Sequence, residues 1–177
     1  MVAAGLAVLV SVASMGRVWQ LLYPLPYAPL VRRAAARYAV SPYLVAAVMR
    51  TESKGDAGAL SRRGAVGLMQ VMPATGMWAA AHMGLRGVTP ARLRDPATNL
   101  AVGTWYLKTL LERYHGNLAL ALAAYNGGES NVDRWLASHR WAGVENTEDQ
   151  IPFGQTRDFV RGVLASYAAY RRIYPDL

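Results

Sequence analysis

The chain has no cysteine and only two lysines, Lys54 and Lys108, among its 177 residues. The absence of cysteine excludes disulfides, thiol catalysis and cysteine metal sites. A chain of this length buries about two-thirds of its unfolded surface, so a core can form without covalent links. The sequence also lacks any sustained alternation of apolar and polar residues, which argues against β-strands.

The net charge is +8 and comes almost wholly from arginine. Such a surface favours anionic partners, namely nucleic acid, acidic lipid headgroups or anionic wall polymers, although solvated arginines without a partner explain it equally well. A nucleic-acid partner is not expected, because the arginines do not form a basic helical stripe with stacking aromatic residues. They fall instead in scattered pairs: Arg32 and Arg33, Arg62 and Arg63, and Arg171 and Arg172.

No cofactor or metal is expected. The three histidines are too dispersed in the sequence to indicate a metal site. The tryptophans are interpreted as packing residues of the core or its rim, although sugar rings also stack on such side chains. These residues are His82, His115, His139, Trp78, Trp105, Trp135 and Trp141.

The first 27 residues are predicted to be a membrane anchor or signal segment. Val2–Leu22 is almost entirely apolar, with Arg17 as its one charge, and about 20 such residues can span a bilayer. The small residues of Val12–Ser14 would permit signal cleavage, but we favour an uncleaved anchor. The arginines follow the segment rather than precede it, which opposes this orientation, and a buried helix remains a further alternative.

The remaining residues, 28–177, are predicted to form one all-α domain. Helix starts are indicated at Ser41, Asp95 and Asn117, where a capping residue precedes the apolar pattern. The segment Leu118–Tyr125 is apolar nearly all round and is predicted to be the most buried helix. The last helix is predicted to run from Thr156 to about Tyr174.

Glu52 is the first candidate catalytic residue. It follows Val45, Val48 and Met49 on one face of the helix that Ser41 begins. Burial and the negative end of the helix dipole both disfavour its charged form, so both should raise its pKa, as a general acid near neutral pH requires. The alternative is an ordinary exposed glutamate at a fraying helix end.

Two further segments contain features of a binding site. A long glycine-rich loop follows Glu52, and long ordered loops usually line functional sites. Tyr125 and Asn126 lie at the end of the apolar helix, where buried polar groups need partners, and Glu52 is one candidate partner.

Four segments together resemble the motifs of the soluble-lytic-transglycosylase family, in the order and spacing of that family, over Ala28 to Tyr174. The resemblance implies a lysozyme-like α-helical domain whose groove binds peptidoglycan strands of alternating N-acetylmuramic acid and N-acetylglucosamine. The matching segments are Glu52–Ser53, Gly64–Thr75, Ala123–Gly127 and Ile151–Phe153.

The resemblance also implies residue roles. Glu52 matches the catalytic acid, and Tyr125 matches the residue whose hydroxyl orients it. The reaction implied is a non-hydrolytic cleavage that leaves 1,6-anhydromuramoyl ends, carried out by an extracytoplasmic monomer that is tethered or secreted. The positions that match groove residues are Ser61, Gln70, Met72 and Asn126.

Two positions depart from the family pattern, Asp149 and Gln155, where many relatives have glutamate. Contacts to the peptide stem are therefore the least certain part of the resemblance. Two other functions remain open: a hydrolytic muramidase on the same fold, and a noncatalytic module that binds wall glycans.

Overall fold

The computed structural model describes residues 18–144 and 147–177. Within these ranges a helical stretch at residues 18–22 is followed by seven α-helices and two short 3₁₀ turns, with no strand beyond two isolated bridges, so the all-α prediction is confirmed. The 3₁₀ turns are Arg92–Arg94 and Glu148–Gln150. The helices are α1 (Ala28–Tyr38), α2 (Pro42–Ser53), α3 (Pro73–His82), α4 (Pro96–Arg113), α5 (Leu118–Gly127), α6 (Glu129–Ala137) and α7 (Gly154–Ile173).

The core is organised around α2 and α5. Leu44–Met49 is a continuous buried run in α2, which packs mainly against α7. Helix α5 lies against α4, α6 and α7, and none of its residues is fully exposed. The prediction that α5 is apolar on all sides therefore holds, but α2 is equally enclosed, since it too has no exposed residue.

The helix starts fall where the sequence predicts them. Asp95 caps α4 by accepting a hydrogen bond from the Thr98 N–H at 2.8 Å, and Asn117 caps α5 by accepting one from the Leu120 N–H at 3.0 Å. Ser41 precedes α2 as predicted, but its hydroxyl makes no capping bond. Proline at the first position, whose fixed φ suits a helix, begins that helix without one.

The last helix begins earlier than predicted. α7 starts at Gly154 rather than at Thr156 and ends at Ile173. Phe153 precedes it in an extended conformation without a side-chain cap. The sequence therefore offers no capping residue at the true start, while Thr156, two residues later, is a buried residue of the first turn.

Residues 18–27, here called the strap, pack against the domain. The Tyr170 hydroxyl donates to the Pro24 carbonyl at 2.9 Å, and the Tyr174 hydroxyl donates to the Tyr23 carbonyl at 2.8 Å. The ring of Tyr23 meets Tyr170 edge-on and carries the Arg50 guanidinium 4.2 Å from its centroid. The proposed boundary after residue 27 thus follows a segment that is already bonded to α7.

The predicted anchor, Val2–Leu22, lies mostly outside the described residues, and only residues 18–22 are seen, as a helical turn. No helix in the described part of the chain has the length and apolar character needed to cross a membrane.

Candidate active site

The carboxyl group of Glu52 lies in the last turn of α2, after the buried Val45, Val48 and Met49. Burial raises the pKa of Glu52 to about 8. The increase has the predicted direction and comes from burial, and it leaves the group mostly protonated at neutral pH. A carboxylic acid that remains protonated at pH 7 can donate a proton to a substrate.

The loop between α2 and α3 folds back over this turn. The Ser53 hydroxyl donates to the Leu68 carbonyl at 2.8 Å, and Val66 forms antiparallel bridges to Leu60 and Val71. Gly67 adopts a φ of 76°, and a Cβ there would lie 2.5 Å from the amide nitrogen of Asn99. Only glycine allows the loop to approach α4 this closely.

Asn99, on α4, holds the loop in place and was not identified from the sequence. Its side chain is fully buried and accepts a hydrogen bond from the Met69 N–H at 2.8 Å. Its amide nitrogen donates to the carbonyls of Val66 and Leu93, at 2.8 Å and 2.7 Å. The sequence feature that could have identified it is a polar amide on the apolar face of α4, one helical turn before Gly103.

Tyr125, at the end of α5, connects the loop to the catalytic candidate. Its hydroxyl donates to the Met69 carbonyl at 2.8 Å. Burial raises the pKa of this phenol well above its usual range; Glu52, which is ionised at such high pH, and Tyr106 add to the increase. Since the phenol hydrogen is bonded to Met69, the phenol oxygen is left as an acceptor, which suits a protonated Glu52.

Gln70 lines the cleft beside Tyr125 and also stabilises the loop between α2 and α3. Its backbone is left-handed, with a φ of 46°. Its amide nitrogen donates to the carbonyls of Ala59 and Gly67, at 3.2 Å and 2.9 Å. Both amide hydrogens are thereby used within the loop, and the side-chain oxygen remains available to accept a hydrogen bond.

Four of the six predicted site residues line one cleft of about 260 Å³, here called the Tyr125 cleft. The half-exposed side chain of Met72 forms part of its wall. Glu52 is not among the described residues that line this cleft, but it lies close enough to Tyr125 to raise the pKa of the phenol. The lining residues are Gln70, Val71, Met72, Thr75, Tyr106, Ala124, Tyr125, Asn126, Gly127 and Gly128.

A second cleft of about 490 Å³, the Phe153 cleft, shares Asn126 and Gly127 with the first. The two clefts therefore adjoin at the end of α5. The Asn126 side-chain oxygen accepts a hydrogen bond from the Thr156 hydroxyl at 3.0 Å, which leaves the Asn126 amide nitrogen free to donate. The other lining residues are Arg63, Asn131, Pro152, Phe153, Gly154, Gln155 and Thr156.

Ser61 lies in the same loop but in neither set of described lining residues. Its hydroxyl oxygen accepts a hydrogen bond from the Ala65 N–H at 2.9 Å and closes a tight turn. The two positions that depart from the family pattern differ in setting. Asp149 forms an ion pair with Arg161, whereas Gln155 is exposed and lines the Phe153 cleft.

Comparison with known sequences gives a consistent result. Residues 29–147 match the family described as the transglycosylase SLT domain. The soluble lytic murein transglycosylase of Escherichia coli K12 is 35% identical over 167 residues, which covers 91% of this chain. The membrane-bound lytic murein transglycosylase C of Yersinia pestis is 34% identical over 82% of this chain.

Solved structures agree. The 70-kDa soluble lytic transglycosylase of Escherichia coli superposes with a TM-score of 0.82 at 33% identity and covers 89% of this chain. An inactive variant of the Pseudomonas aeruginosa lytic transglycosylase Slt gives 0.78 at 28% identity over 86%. The chain spans 26% of the Escherichia coli sequence, 47% of the Yersinia sequence, and 26% and 25% of the two structures.

Proposed function

Because the chain belongs to the transglycosylase SLT domain family, we propose that it cleaves peptidoglycan glycan strands without water, using Glu52 as both acid and base. The observation that carries the proposal is a buried, protonated carboxyl group beside a groove in which Gln70, Met72, Tyr125 and Asn126 converge. The relatives named as lytic murein transglycosylases support the substrate class.

In the first step, protonated Glu52 donates to the glycosidic oxygen between N-acetylmuramic acid and N-acetylglucosamine. The bond from C1 of the muramoyl sugar to that oxygen breaks, and the muramoyl N-acetyl group helps to stabilise the cationic C1. The raised pKa of Glu52, about 8, supplies the proton at neutral pH. Tyr125 and the loop that Asn99 holds keep the acid in position.

In the second step, the Glu52 carboxylate takes the proton of the muramoyl 6-hydroxyl, and O6 bonds to C1. The products are a 1,6-anhydromuramoyl end and a free N-acetylglucosamine hydroxyl, and Glu52 regains its proton. Retaining and inverting hydrolases need a second carboxyl group as nucleophile or base. This reaction does not, because the substrate provides its own nucleophile.

We further propose that the protein works outside the cytoplasm, held at the membrane by Val2–Leu22. The apolar composition of that segment supports an anchor. Leu21 and Leu22, the last residues of that segment, are exposed apolar side chains.

The chemistry is tested by Glu52→Gln, which removes the proton and keeps the shape of the side chain. We expect turnover to fall by at least about 10³-fold, since this group supplies both proton transfers. Asp56→Asn is the matched control, because Asp56 is the nearest acid in sequence and is exposed, and an amide oxygen can still accept the bond from Gly58 N–H.

Mass spectrometry of muropeptides released from purified sacculi distinguishes the alternatives. Anhydro ends from the wild type and from Asp56→Asn, but not from Glu52→Gln, support the proposal. Reducing ends, heavier by one water, would show a hydrolytic muramidase. Binding of sacculi without any released product would show a noncatalytic module.

A further inference from the structure

The C-terminal half of α3 carries an exposed aromatic cluster that has no part in the proposed reaction. Trp78 is 46% exposed, and its ring lies 4.5 Å from His82 and 5.6 Å from Trp105, between centroids. Trp105 is partly buried against the core and supports Trp78 from α4. We call Trp78, His82 and Trp105 the Trp78 platform.

The platform continues the wall of the Tyr125 cleft. Met72 and Thr75 line that cleft from α3, and Trp78 follows three residues after Thr75, on the same side of the helix and about 4.5 Å further along it. Tyr106 lines the cleft from α4 and meets Trp78 edge-on, with centroids 6.3 Å apart. Tyr106 also lies 5.5 Å from Tyr125, so aromatic rings follow one another from the site to the surface.

The chemistry of the platform suits a sugar. A tryptophan that is half exposed keeps apolar ring surface in water, which is unfavourable unless something covers it. The negative face of an indole attracts the weakly positive C–H groups on the apolar face of a pyranose ring. A rigid side chain with two torsions loses little entropy when a ligand packs against it.

The surface beyond the platform is basic. Trp105 also lines a cavity of about 320 Å³ together with Arg37 and Lys108. Lys108 is partly neutralised by Glu112, at 2.8 Å, while Arg37 packs over the ring of Tyr38. The buried hydroxyl of Tyr38, in the same wall, has no hydrogen-bond partner among the described residues. This setting fits a polymer with carboxylate-bearing substituents.

We propose that the Trp78 platform is a remote sugar-binding subsite, which holds the peptidoglycan strand beyond the Tyr125 cleft and makes cleavage depend on strand length. The inference rests on the proposed function, since it takes the strand in the cleft to be peptidoglycan. The occupant is a further sugar of the same strand, because the platform is continuous with the cleft and its neighbours are cationic.

Binding is measured first, in the Glu52→Gln background, so that no strand is cut. Isothermal titration with purified, uncross-linked glycan strands compares Trp78→Ala with Met77→Ala, a neighbour of similar exposure, at 45%, whose side chain has no aromatic ring. We expect about tenfold weaker binding for Trp78→Ala, in line with the strength of ring stacking, and no change for Met77→Ala. Trp78→Phe keeps a ring and should recover most of the affinity.

Turnover is measured next, with Glu52 intact, on long strands and on fragments of two disaccharide units. The loss in kcat/KM for Trp78→Ala should be largest on long strands and shrink on the fragments. Unchanged affinity in Trp78→Ala, or an equal loss of kcat/KM on long strands and on fragments, would overturn the proposal that the platform binds sugar. If the wild type cuts neither substrate, the proposed function fails, while the titrations still report on the platform.

Discussion

The last turn of α2 and the first turn of α4 each present a carboxyl group, and the two groups have opposite properties. Burial raises the pKa of Glu52 to about 8. At the start of α4, the backbone N–H and the hydroxyl of Thr98 bond to Asp95, at 2.8 Å and 2.7 Å, and lower its pKa. A helix N-terminus offers unpaired N–H donors, whereas a C-terminus offers only carbonyl oxygens.

The contrast shows how one fold assigns one chemical group to two functions. Asp95 is charged and stabilises a helix, whereas Glu52 is neutral and holds a proton. The two turns are also joined, because Asn99 follows Asp95 by one helical turn and bonds to the loop that begins after Glu52. The first turns of α4, which Asp95 caps, therefore hold the loop that follows Glu52 at the end of α2.

The largest effect is expected from breaking that link with Asn99→Leu. The Met69 N–H and the Leu93 carbonyl would lose their partners, at about 1–3 kcal/mol for each buried group, whereas the Val66 carbonyl would keep the hydrogen bond from the Val71 N–H. We expect the free energy of unfolding in urea to fall by about 2 kcal/mol or more, with a loss of turnover. Thr98→Ala, next in sequence, should cost about 1 kcal/mol, and equal losses would contradict the role of Asn99.

A more gradual effect, spread over several pH units, is expected from the pH dependence of stability. The native state holds the Glu52 proton up to about pH 8, whereas the unfolded chain releases it near 4.5. The contribution of this group to stability should therefore be complete below pH 4.5 and should decrease as pH rises to about 8, by at most about 1.4 kcal/mol per pH unit.

The measurement is urea denaturation between pH 4.5 and 9, for the wild type and for Glu52→Gln. The variant cannot ionise at this position, so it should lose this slope and exceed the wild type in stability at pH 9. Parallel curves for the two proteins would show that the carboxyl group is not desolvated.

Tyr125→Phe tests whether the Tyr125 hydroxyl positions Glu52, and we expect it to lower turnover only moderately. It removes the hydrogen bond to the Met69 carbonyl, worth about 1 kcal/mol, and a hydroxyl near enough to Glu52 to interact with it electrostatically. We expect turnover of sacculi to slow about tenfold without being abolished. Tyr43→Phe removes a comparable bond, to the Pro175 carbonyl, far from the groove, and should leave turnover unchanged. The same rate in both variants would exclude a positioning role for Tyr125.

The smallest effect is expected from Asp95→Ala, which should lower the free energy of unfolding by about 1 kcal/mol through loss of the cap. Because the native pKa of Asp95 is lowered, its contribution is present above the ordinary value of 3.8 and disappears as pH falls through the native value. The two proteins should therefore converge in acid when melting is followed by circular dichroism. A gap that persists at low pH would rule out the charged cap.

Features fixed by neighbouring residues could be predicted from the sequence. Asp95 and Asn117 cap helices through residues three positions away, and Glu52 follows an apolar stripe on its own helix. Local spacing also indicated that Tyr125 and Asn126 lie together at the end of α5. Such contacts need no knowledge of how distant segments meet.

Contacts between distant segments could not be predicted in this way. The Tyr125 hydroxyl bonds to a carbonyl 56 positions earlier in the chain, and Asn99 bonds to one 33 positions earlier. A single asparagine on a helix resembles a surface amide until the loop is known to fold against it. For the same reason Trp78 looked like a packing residue, since its exposure depends on which side of α3 the core covers.

The strap has a mechanical consequence. Tyr23 is bonded through its carbonyl to Tyr174 and stacked by Arg50, which lies two residues before Glu52 on the same helix. Only residues 23–27 separate residue 22 from α1, and the carbonyls of Tyr23 and Pro24 are bonded to the domain. If Val2–Leu22 is embedded in a bilayer, as we propose, the enzyme stands at a fixed height above the lipid surface, and only glycan layers at that height lie within its reach.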